Sequence, residues 1–384
     1  MRTAKIVIGA NFGDEGKGLM TDYFANEAKK QGESCLVVCH NGGSQRGHTV
    51  ISPSGLRHVF HHFGSGNFED ADTYLSSEFI VNPIIFSQEL SELEGKDAIT
   101  KCFVDRNCRL TTPFDMMINQ IVEEHRGNSK HGSCGLGIFE TIVRSRTDAN
   151  YTVYKFSNLP VSEMRIYLDH IAANYLPYRL KQLGIENIPA KWNEILSDKD
   201  NIIENYINDF LQMLDNVQIV NSDIVDDYNY VIFEGAQGLL LDRNNLSYMP
   251  NLTPSNTGIK NPLDIIGTRK VDVEACYVSR TYMTRHGAGR FDTECDKSDI
   301  NENIVDLTNV PNPYQDTIRY GMLVLNDLRD RIISDLGSAN VNKSIAITHL
   351  NEYGVNQNEL KKIFNEFDIY VSDGMTHNDV YLNS

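Results

Sequence analysis

A glycine-rich segment, GANFGDEGKG over residues 9–18, lies between an apolar run and a helical pattern near the N-terminus. The run before it, KIVIG over residues 5–9, is β-branched and ends at glycine, which is typical of a buried parallel strand. A helix is predicted from Leu19 to Lys29, and SCLVVC over residues 34–39 predicts a second buried strand. Strand, glycine-rich loop, helix and strand in this order indicate a doubly wound α/β fold.

The remainder of the chain fits the same fold class. Residues 160–215 have a helical pattern, and residues 290–320 hold few apolar runs, so they are predicted to form a long surface or active-site loop. We expect one α/β domain over residues 1–384, with a large, mainly parallel twisted sheet flanked by helices, a P-loop-like nucleotide-binding fold and a helical insertion over about 100–220. Four further strands are predicted at Tyr230–Phe233, Glu274–Ser279, Ser344–Thr348 and Asp368–Ser372.

Charge and cysteine content narrow the function classes. A net charge of −17 argues against a protein that coats nucleic acid, although local amides and a few cations can still bind a nucleotide. Cys35 and Cys39 have no second pair at zinc spacing, so the seven cysteines are interpreted as reduced thiols. With no signal peptide and no run of about 18 apolar residues, a cytoplasmic protein without a membrane segment is predicted.

The glycine-rich segment has the chemistry of a phosphate loop. Its glycines let backbone N–H groups face an anion at a helix N-terminus, and Lys17 adds a point charge. Its spacing differs from that of a Walker A loop, and Gly18 stands where Ser or Thr would bind magnesium. Asp14 and Glu15 inside such a loop indicate a metal ligand or a base; the alternative is a tight turn with solvated acids.

Three other segments carry polar residues at predicted strand ends or turns. GGSQRGHT (42–49) follows the second strand, and loops that leave adjacent parallel strands converge, so His48 is expected near Asp14. GSCGLG (132–137), followed by arginines, could hold a phosphate, but such stretches are as often plain turns. FEGAQG (233–238), with the polar turn over 251–257, is informative only in combination with the others.

Taken together, these segments resemble adenylosuccinate synthetases over most of the chain. GDEGKG, GGSQRGHT, GSCGLGI, FEGAQG, NLTPSNT, TRHGAGRFDTE and the strand leading to Asn351 occur in the order of that family. The resemblance implies a homodimer that uses Mg²⁺ and a two-step reaction. A nucleoside triphosphate first phosphorylates the purine 6-oxygen, and the amine of L-aspartate then displaces that phosphate.

The resemblance also implies roles for individual residues. Asp14 would remove the purine N1 proton and bind Mg²⁺ with the Gly47 carbonyl, while His48 would stabilise the transferring phosphoryl group and Lys17 would hold the γ-phosphate. The triphosphate site would comprise Gly13, Glu15, Gly16, Lys17, Gly18, Gly47, His48, Thr49, Asn351, Ser372 and Gly374. The purine monophosphate site would comprise Asp14, Ser44, Gln45, Ser133, Cys134, Gln237, Thr253 and an Arg144 that reaches in from the partner subunit.

Several positions depart from the family pattern. Gln45 and Arg46 replace Asn-Ala, which places a longer amide and a new cation beside the monophosphate site. Asn351 replaces a guanine-reading aspartate and can satisfy adenine, which favours ATP over GTP unless another residue reads guanine. The arginine-rich aspartate loop keeps only Arg319, so L-aspartate is expected to be held by Arg319 with Thr308, Asn309 or Gln315. The segment between Asn351 and Ser372 is short.

These departures resemble the phage branch of the family, the 2-aminoadenylosuccinate synthetases. That likeness implies dGMP and L-aspartate as substrates with ATP or dATP as donor, in diaminopurine DNA precursor synthesis in the host cytoplasm. Asp14 is retained, so IMP with GTP, as in AMP biosynthesis, stays a second hypothesis. A nucleotide switch that hydrolyses a triphosphate is a third, but it would leave the second pocket without a use.

Overall fold

The computed structural model describes residues 2–127, 131–147, 151–305 and 317–383. Its strands, in chain order, are β1 (Thr3–Gly9), β2 (Cys35–Cys39), β3 (His48–Ile51), β4 (Arg57–Phe60), β5 (Asp72–Leu75), β6 (Ile80–Val81), β7 (Cys102–Asp105), β8 (Arg109–Leu110), β9 (Val217–Val220), β10 (Tyr230–Gly238), β11 (Asp272–Arg280), β12 (Met283–Arg285), β13 (Glu294–Cys295), β14 (Arg319–Gly321), β15 (Asn342–Thr348), β16 (Asp368–Ser372) and β17 (Val380–Leu382).

A sheet of ten strands forms the centre, in the order β17-β16-β15-β11-β1-β10-β2-β5-β7-β9. Every neighbouring pair is parallel except the edge pair of β16 and β17. The predicted α/β class with a large, mainly parallel sheet is confirmed. The six strands predicted from the sequence are all present in this sheet.

Strand β1 shows why the central strands are almost wholly apolar. Ile6 and Ile8 point into a core on one face of the sheet, and Val7 points into a second core on the other face. All three side chains are fully buried. Because successive residues of a strand face opposite sides, a strand covered on both faces has a continuous apolar run instead of an alternating one.

Helices cover both faces of the sheet. The first, α1, carries Met20, Phe24 and Ala28 at helical spacing on its buried side, against the core that holds Val7. The helices are α1 (Lys17–Lys30), α2 (Pro83–Glu94), α3 (Pro113–Arg126), α4 (Ile138–Thr147), α5 (Val153–Ser157), α6 (Val161–His170), α7 (Leu176–Gln182), α8 (Ala190–Ser197), α9 (Lys199–Asn216), α10 (Lys260–Ile266), α11 (Lys297–Ile300), α12 (Leu325–Leu336) and α13 (Gln357–Ile363).

Between about 100 and 220, the range predicted for a helical insertion, the described residues are mainly helical. Strands β7 and β9, at its two ends, pair with each other inside the main sheet. Helices α3 to α9 lie between them in sequence, and α3 and α5 to α9 share one large core with α2 and the β5–β7 side of the sheet. An apolar pattern cannot by itself separate an inserted helix from a neighbouring buried strand.

Within 290–320, the range predicted as a loop, the described residues include two short strands and one short helix. Strands β12, β14 and β13 form a small antiparallel sheet, and α11 follows β13. Residues 306–316 lie outside the described part of the chain, and with them Thr308, Asn309 and Gln315. In the described ranges no helix has the length and apolar character needed to cross a bilayer. All seven cysteines are free thiols, as predicted.

Glu89 of α2 joins the helical layer to the segment that follows β4. Its buried carboxylate accepts hydrogen bonds from the backbone N–H groups of His61 (2.9 Å), His62 (2.6 Å) and Phe63 (3.3 Å). Burial alone would raise the pKa of Glu89, but His58 and His62, each 3.6 Å away, outweigh burial and lower it. The segment 61–63 is therefore fixed by a charged acceptor.

We predict that Glu89→Gln lowers the free energy of unfolding by about 2–4 kcal/mol, because a donor NH₂ replaces one acceptor oxygen opposite buried amides. Denaturant unfolding measures the change. Glu94→Gln, an exposed position on the same helix, is the matched control and is expected to stay within about 0.5 kcal/mol of the parent chain. Equal effects of the two substitutions would contradict the role given to Glu89.

Candidate active site

The loops that leave the carboxyl ends of the central strands meet at one edge of the sheet, as expected for an open parallel sheet. Glycine makes their approach possible. A side-chain carbon at Gly13 would lie 3.2 Å from Gln237 Cα, and one at Gly16 would lie 3.0 Å from Thr348 Cγ2. The loop after β1 is thus wedged between the ends of β10 and β15, where a larger residue would push it out.

This loop opens α1 in the manner of a phosphate-binding turn. Gly16 precedes the helix with a φ of 92°, and no side chain caps the first turn. The buried Lys17 donates to the Gly13 carbonyl, and a side-chain carbon at Gly18 would lie 3.2 Å from His48 Cβ. The uncapped N–H groups and Lys17 give positive potential, and His48 lies beside them. The two loops therefore lie close together at Gly18 and His48, while the proximity of Asp14 itself to His48 stays a prediction.

Asp14 pairs with His286, a residue that the sequence argument left without a role. Asp14 Oδ2 lies 2.8 Å from His286 Nε2, and the Asp14 side chain is 33% exposed. Burial would raise the pKa of Asp14, but the hydrogen bond and charge of His286, helped by Arg280 and Lys17, outweigh it and hold the pKa at about 2. The carboxylate is therefore ionised at the mouth of the site.

Glu15 has a different environment from its neighbour. Its carboxylate is buried, with Oε1 accepting from the backbone N–H of Asn11 at 2.6 Å and Oε2 unpaired among the described residues. Burial raises the pKa of Glu15 to about 7 against the attraction of Lys17. The side chain supports the loop from within, and the Glu15 N–H donates to the Gly13 carbonyl at 3.0 Å, so Glu15 holds the shape of the loop.

His48 is oriented by a buried carboxylate, Glu234. His48 Nδ1 lies 2.7 Å from Glu234 Oε1, while Arg46 Nη1 donates to Glu234 Oε2 at 2.9 Å. Burial would raise the pKa of Glu234, but Arg46 and His48 outweigh it and hold the pKa at about 2. Burial lowers the pKa of His48 more than Glu234 raises it, so the free imidazole is neutral. Glu234 Oε1 accepts a hydrogen bond from the Nδ1–H of His48, which leaves Nε2 to meet a ligand.

Arg46 does not occupy the position expected from the sequence. The expectation is a new cation beside the monophosphate site, but the Arg46 side chain is 1% exposed and points into the protein. It donates to the carbonyls of His61, at 2.7 Å, and Phe63, in addition to Glu234. The guanidinium has five donors in a planar fork, and a buried guanidinium needs several acceptors, which this pocket supplies.

The two residues before Arg46 each carry a buried side-chain oxygen without a partner. Ser44 Oγ and Gln45 Oε1 accept or donate no hydrogen bond among the described residues. Gln237 has a φ of 67°, a conformation that non-glycine residues adopt at a cost of about 1 kcal/mol or more. Unpaired buried groups and a strained residue are typical of a site that a ligand completes.

The loop over 131–137 lies against the segment that carries His286. A side-chain carbon at Gly132 would lie 2.8 Å from the Cα of Gly287, the residue after His286. Asn119 of α3 donates to Ser133 Oγ at 2.7 Å. Thr253 is buried in its own loop, where its N–H donates to the Leu241 carbonyl at 2.9 Å.

Arg144 is a second cation that does not lie where the sequence predicts it. The expectation is that it reaches into the site of a partner subunit, but its side chain is 2% exposed inside its own chain. It forms a bidentate pair with Asp115, donates to the Leu110 carbonyl at 2.7 Å and to the Tyr167 hydroxyl at 2.6 Å. With these acceptors enclosing it, Arg144 joins α4 to α3 and α6 instead.

The predicted base-binding residues form a corner beside the start of α1. Thr348 Oγ1 donates to the Glu15 carbonyl at 2.9 Å, and Leu350 N donates to the Ser372 carbonyl at 3.1 Å. Ser372 Oγ in turn donates to the Gly374 carbonyl at 2.9 Å. Asn351, next in the chain, is exposed at this corner and can meet a ligand.

Arg319 lies beside a second arginine that the sequence argument did not single out, Arg285. Arg319 pairs with both oxygens of Glu294, at 2.7 and 2.5 Å, and donates to the Gly289 carbonyl at 2.9 Å. Burial and the charge of Arg319 lower the pKa of Arg285 to about 10. Arg285 Nε is buried without a partner among the described residues, so Arg285 keeps a donor for an anionic ligand, whereas the charge of Arg319 is already balanced by Glu294.

The donor set at the mouth of the site suits magnesium. Mg²⁺ prefers hard oxygen ligands, and it commonly takes one or two carboxylates together with substrate phosphates. Asp14 supplies an ionised, part-exposed carboxylate, and Gly47 is exposed immediately before β3. The buried Glu15 carboxyl, with a pKa of about 7, does not fit this role.

His286, Glu234 and Arg285 were not predicted as site residues, although each lies in a quoted motif. His286 and Arg285 belong to TRHGAGRFDTE, and Glu234 to FEGAQG. Their positions at or just after strands that end at this edge were a usable signal. The sequence does not show which residue each of them pairs with, because the partners lie far apart in the chain. Glu234 and His48, for example, are separated by more than 180 residues.

Comparison with known proteins agrees with this geometry. A family model described as adenylosuccinate synthetase matches residues 6–317. The adenylosuccinate synthetase of Clostridium botulinum (strain Alaska E43) is 30% identical over 297 residues, which cover 76% of this chain and 66% of that relative. The enzyme of Synechocystis is 28% identical over 310 residues, covering 78% of this chain and 65% of the relative. The chain thus spans slightly less than two thirds of these relatives.

Two solved structures share the fold across nearly the whole chain. Fully ligated adenylosuccinate synthetase from Plasmodium falciparum aligns with a TM-score of 0.74 at 15% identity, covering 99% of each chain. The succinoaminodeoxyadenylate synthetase of cyanophage S-2L, bound to dGMP and dATP, aligns with a TM-score of 0.66 at 14% identity, covering 100% of this chain and 95% of that one. With the family model matching most of its length, this chain belongs to the adenylosuccinate synthetase family.

Proposed function

We propose that this chain is a ligase that joins L-aspartate to the 6-position of a purine nucleotide through a 6-phosphoryl intermediate. The observation that carries the proposal is the meeting of two ionised carboxylate–histidine pairs at one phosphate loop. Asp14 with His286 and Glu234 with His48 lie at the edge where α1 begins. One pair suits proton removal from a purine, and the other suits stabilisation of a transferring phosphoryl group.

Asp14 acts in the first step. Its ionised carboxylate is the form that a base needs. When a purine N1–H donates to Asp14 in place of His286, the contact that lowers the pKa of Asp14 is lost, and the carboxylate becomes a stronger base. Loss of the N1 proton makes the 6-oxygen nucleophilic toward the γ-phosphate. Asp14 and the Gly47 carbonyl would hold Mg²⁺, which when bound neutralises charge on the phosphates.

Lys17 and the backbone N–H groups of Gly16 to Gly18 would hold the γ-phosphate, because the first turn of α1 has no side-chain cap. The Glu15 N–H would join them by leaving the Gly13 carbonyl. His48 faces the reacting groups through Nε2. A phosphoryl dianion beside it favours the protonated imidazole, which then donates a hydrogen bond to the phosphoryl oxygens while Glu234 keeps the ring in place. L-Aspartate would bind near Arg285 and Arg319 through its carboxylates, and its amine would displace the phosphate.

For the substrates we propose dGMP with ATP or dATP as the first candidate. Asn351, exposed at the corner with Ser372 and Gly374, offers an amide that can both accept from adenine N6–H₂ and donate to N1. Ser44 and Gln45 carry the unpaired buried oxygens expected to meet the nucleotide monophosphate, with Ser133, Cys134, Gln237 and Thr253 around them. The fold shared with the dGMP-bound cyanophage protein supports this candidate.

IMP with GTP is the second candidate, and the names of the curated relatives favour it. Guanine and hypoxanthine share the 6-oxo and N1–H edge, so the Asp14 and His48 chemistry serves either purine. We also propose, on the family resemblance, a homodimer in the cytoplasm, that of the host if the chain is encoded by a phage. The buried Arg144 is not part of that dimer proposal.

A substrate panel tests the function. Each of IMP, GMP, dIMP and dGMP is incubated with L-aspartate and with ATP, dATP or GTP, and the product mass is recorded. We expect an aspartate adduct and phosphate release that both require the purine monophosphate and L-aspartate. Phosphate release from the triphosphate alone, with no adduct in any mixture, would instead indicate a nucleotide switch.

We predict that His286→Gln lowers kcat about 10-fold or more, because Asp14 loses the partner that positions it and holds it ionised. The pKa of Asp14 then rises from about 2 toward its ordinary value. A base must be deprotonated, so the acid limb of the kcat/KM profile moves to higher pH. His170→Gln on the exposed face of α6 is the control. An unchanged kcat and acid limb in His286→Gln would exclude this positioning role.

A further inference from the structure

Three side chains able to bind a metal meet on the far side of α1 from its core contacts with the sheet. They are Asp22 of α1, Glu69 in the 3-10 turn Asn67–Glu69, and His377 in the turn His377–Asp379. His377 Nδ1 lies 2.8 Å from Asp22 Oδ2 and 3.8 Å from Glu69 Oε1, and one ligand atom from each residue lies within 4.8 Å of the others. None of the three belongs to the predicted active site.

The cluster is enclosed. Asp22 is fully buried, and the side chains of His377 and Glu69 are 6% and 10% exposed. Asp22 Oδ1 is also buried and has no hydrogen-bond partner among the residues that the structure describes. An unpaired carboxylate oxygen costs free energy in such a position unless a cation or a donor reaches it. This oxygen is the second, independent sign that the cluster accepts a ligand.

The charges leave room for a cation. Glu69 Oε2 accepts from Asn26 Nδ2 at 3.0 Å and lies 3.4 Å from Lys29 Nζ, which itself sits closer to Asp70, at 2.8 Å. Two neighbouring carboxylates, Asp22 and Glu69, thus face the imidazole of His377, and a divalent ion would balance their charge through the same ligand atoms.

We propose that Asp22, Glu69 and His377 bind a divalent transition-metal ion of the Zn²⁺ class, at a site separate from the phosphate loop. Zinc binds one imidazole nitrogen and two carboxylate oxygens at about 2.0–2.2 Å. Tetrahedral bonds of that length separate neighbouring ligand atoms by about 3.4 Å, which lies between the 2.8 and 3.8 Å observed. The imidazole ligand favours Zn²⁺, Co²⁺ or Ni²⁺ over Mg²⁺.

The ion would join parts of the chain that are far apart in sequence. Asp22 lies one turn into the helix that the phosphate loop opens, and His377 follows Gly374 by three residues. A bound metal would therefore brace the C-terminal segment next to the corner formed by Asn351, Ser372 and Gly374. The link to the donor base rests on the proposed function; binding of the metal does not.

The test uses the full chain after chelator treatment, titrated with Zn²⁺ by calorimetry and with Co²⁺ by visible absorption. We expect one equivalent to bind, with no thiolate charge-transfer band in the Co²⁺ spectrum because the ligands are nitrogen and oxygen. His377→Gln should weaken this binding about 10-fold or more. His170→Gln, an exposed histidine, should bind as the parent chain does.

Asp14→Asn separates this site from the predicted magnesium site, since it removes the phosphate-loop carboxylate and leaves the cluster intact. It should keep the Zn²⁺ equivalent. Glu69→Gln is a second cluster variant, at a less buried position, and circular dichroism checks that each variant is folded. Binding lost in Asp14→Asn but kept in folded His377→Gln and Glu69→Gln, or no bound equivalent in the parent chain, would overturn the proposal.

Discussion

The arrangement of the candidate active site depends on one buried carboxylate, that of Glu234. It lies on β10, between β1 and β2, and it is fully buried. An unpaired carboxylate there would cost several kcal/mol, so its partners are tightly held. Glu234 accepts from His48 and Arg46, and from the Ser65 backbone N–H at 3.2 Å. The loop after β2 and the segment after β4 are thereby fixed to the centre of the sheet.

Glycine supplies the second constraint, because it permits the close approaches. Gly13 against Gln237, Gly16 against Thr348 and Gly132 against Gly287 bring together loops from different strands. The phosphate loop, the candidate base corner and the loop that carries Ser133 thus form one crevice. Function in this fold is concentrated where loops from several strands meet, and the sheet behind them serves as a rigid support.

Much of the fold could be predicted from local signals. Residues 5–9 indicated a strand because β-branched residues buried on both faces form a continuous apolar run, and the glycines after it indicated the turn. Strands β7 and β9, at the two ends of the helical segment, were not predicted, since they are short strands beside long helices. The meeting of the loops after β1 and β2 followed from topology alone, because parallel strands place their carboxyl ends at one edge.

The directions of charged side chains could not be predicted in the same way. Arg46 and Arg144 lie in or beside glycine-rich loops, and a cation there suggests a phosphate ligand. Both instead turn into the protein, where Glu234 and Asp115 balance their charge. His286 was missed for the same reason, because its partner Asp14 lies more than 270 residues away in sequence. Such pairings follow from tertiary packing and leave no local pattern.

The central claim is that the purine 6-oxygen becomes phosphorylated before L-aspartate replaces it. A purine monophosphate labelled with ¹⁸O at the 6-position, incubated with a triphosphate and L-aspartate, tests this most directly. The account predicts that the label leaves in inorganic phosphate, one labelled phosphate for each aspartate adduct formed. Unlabelled phosphate released alongside the adduct, with the label lost to water, would contradict it.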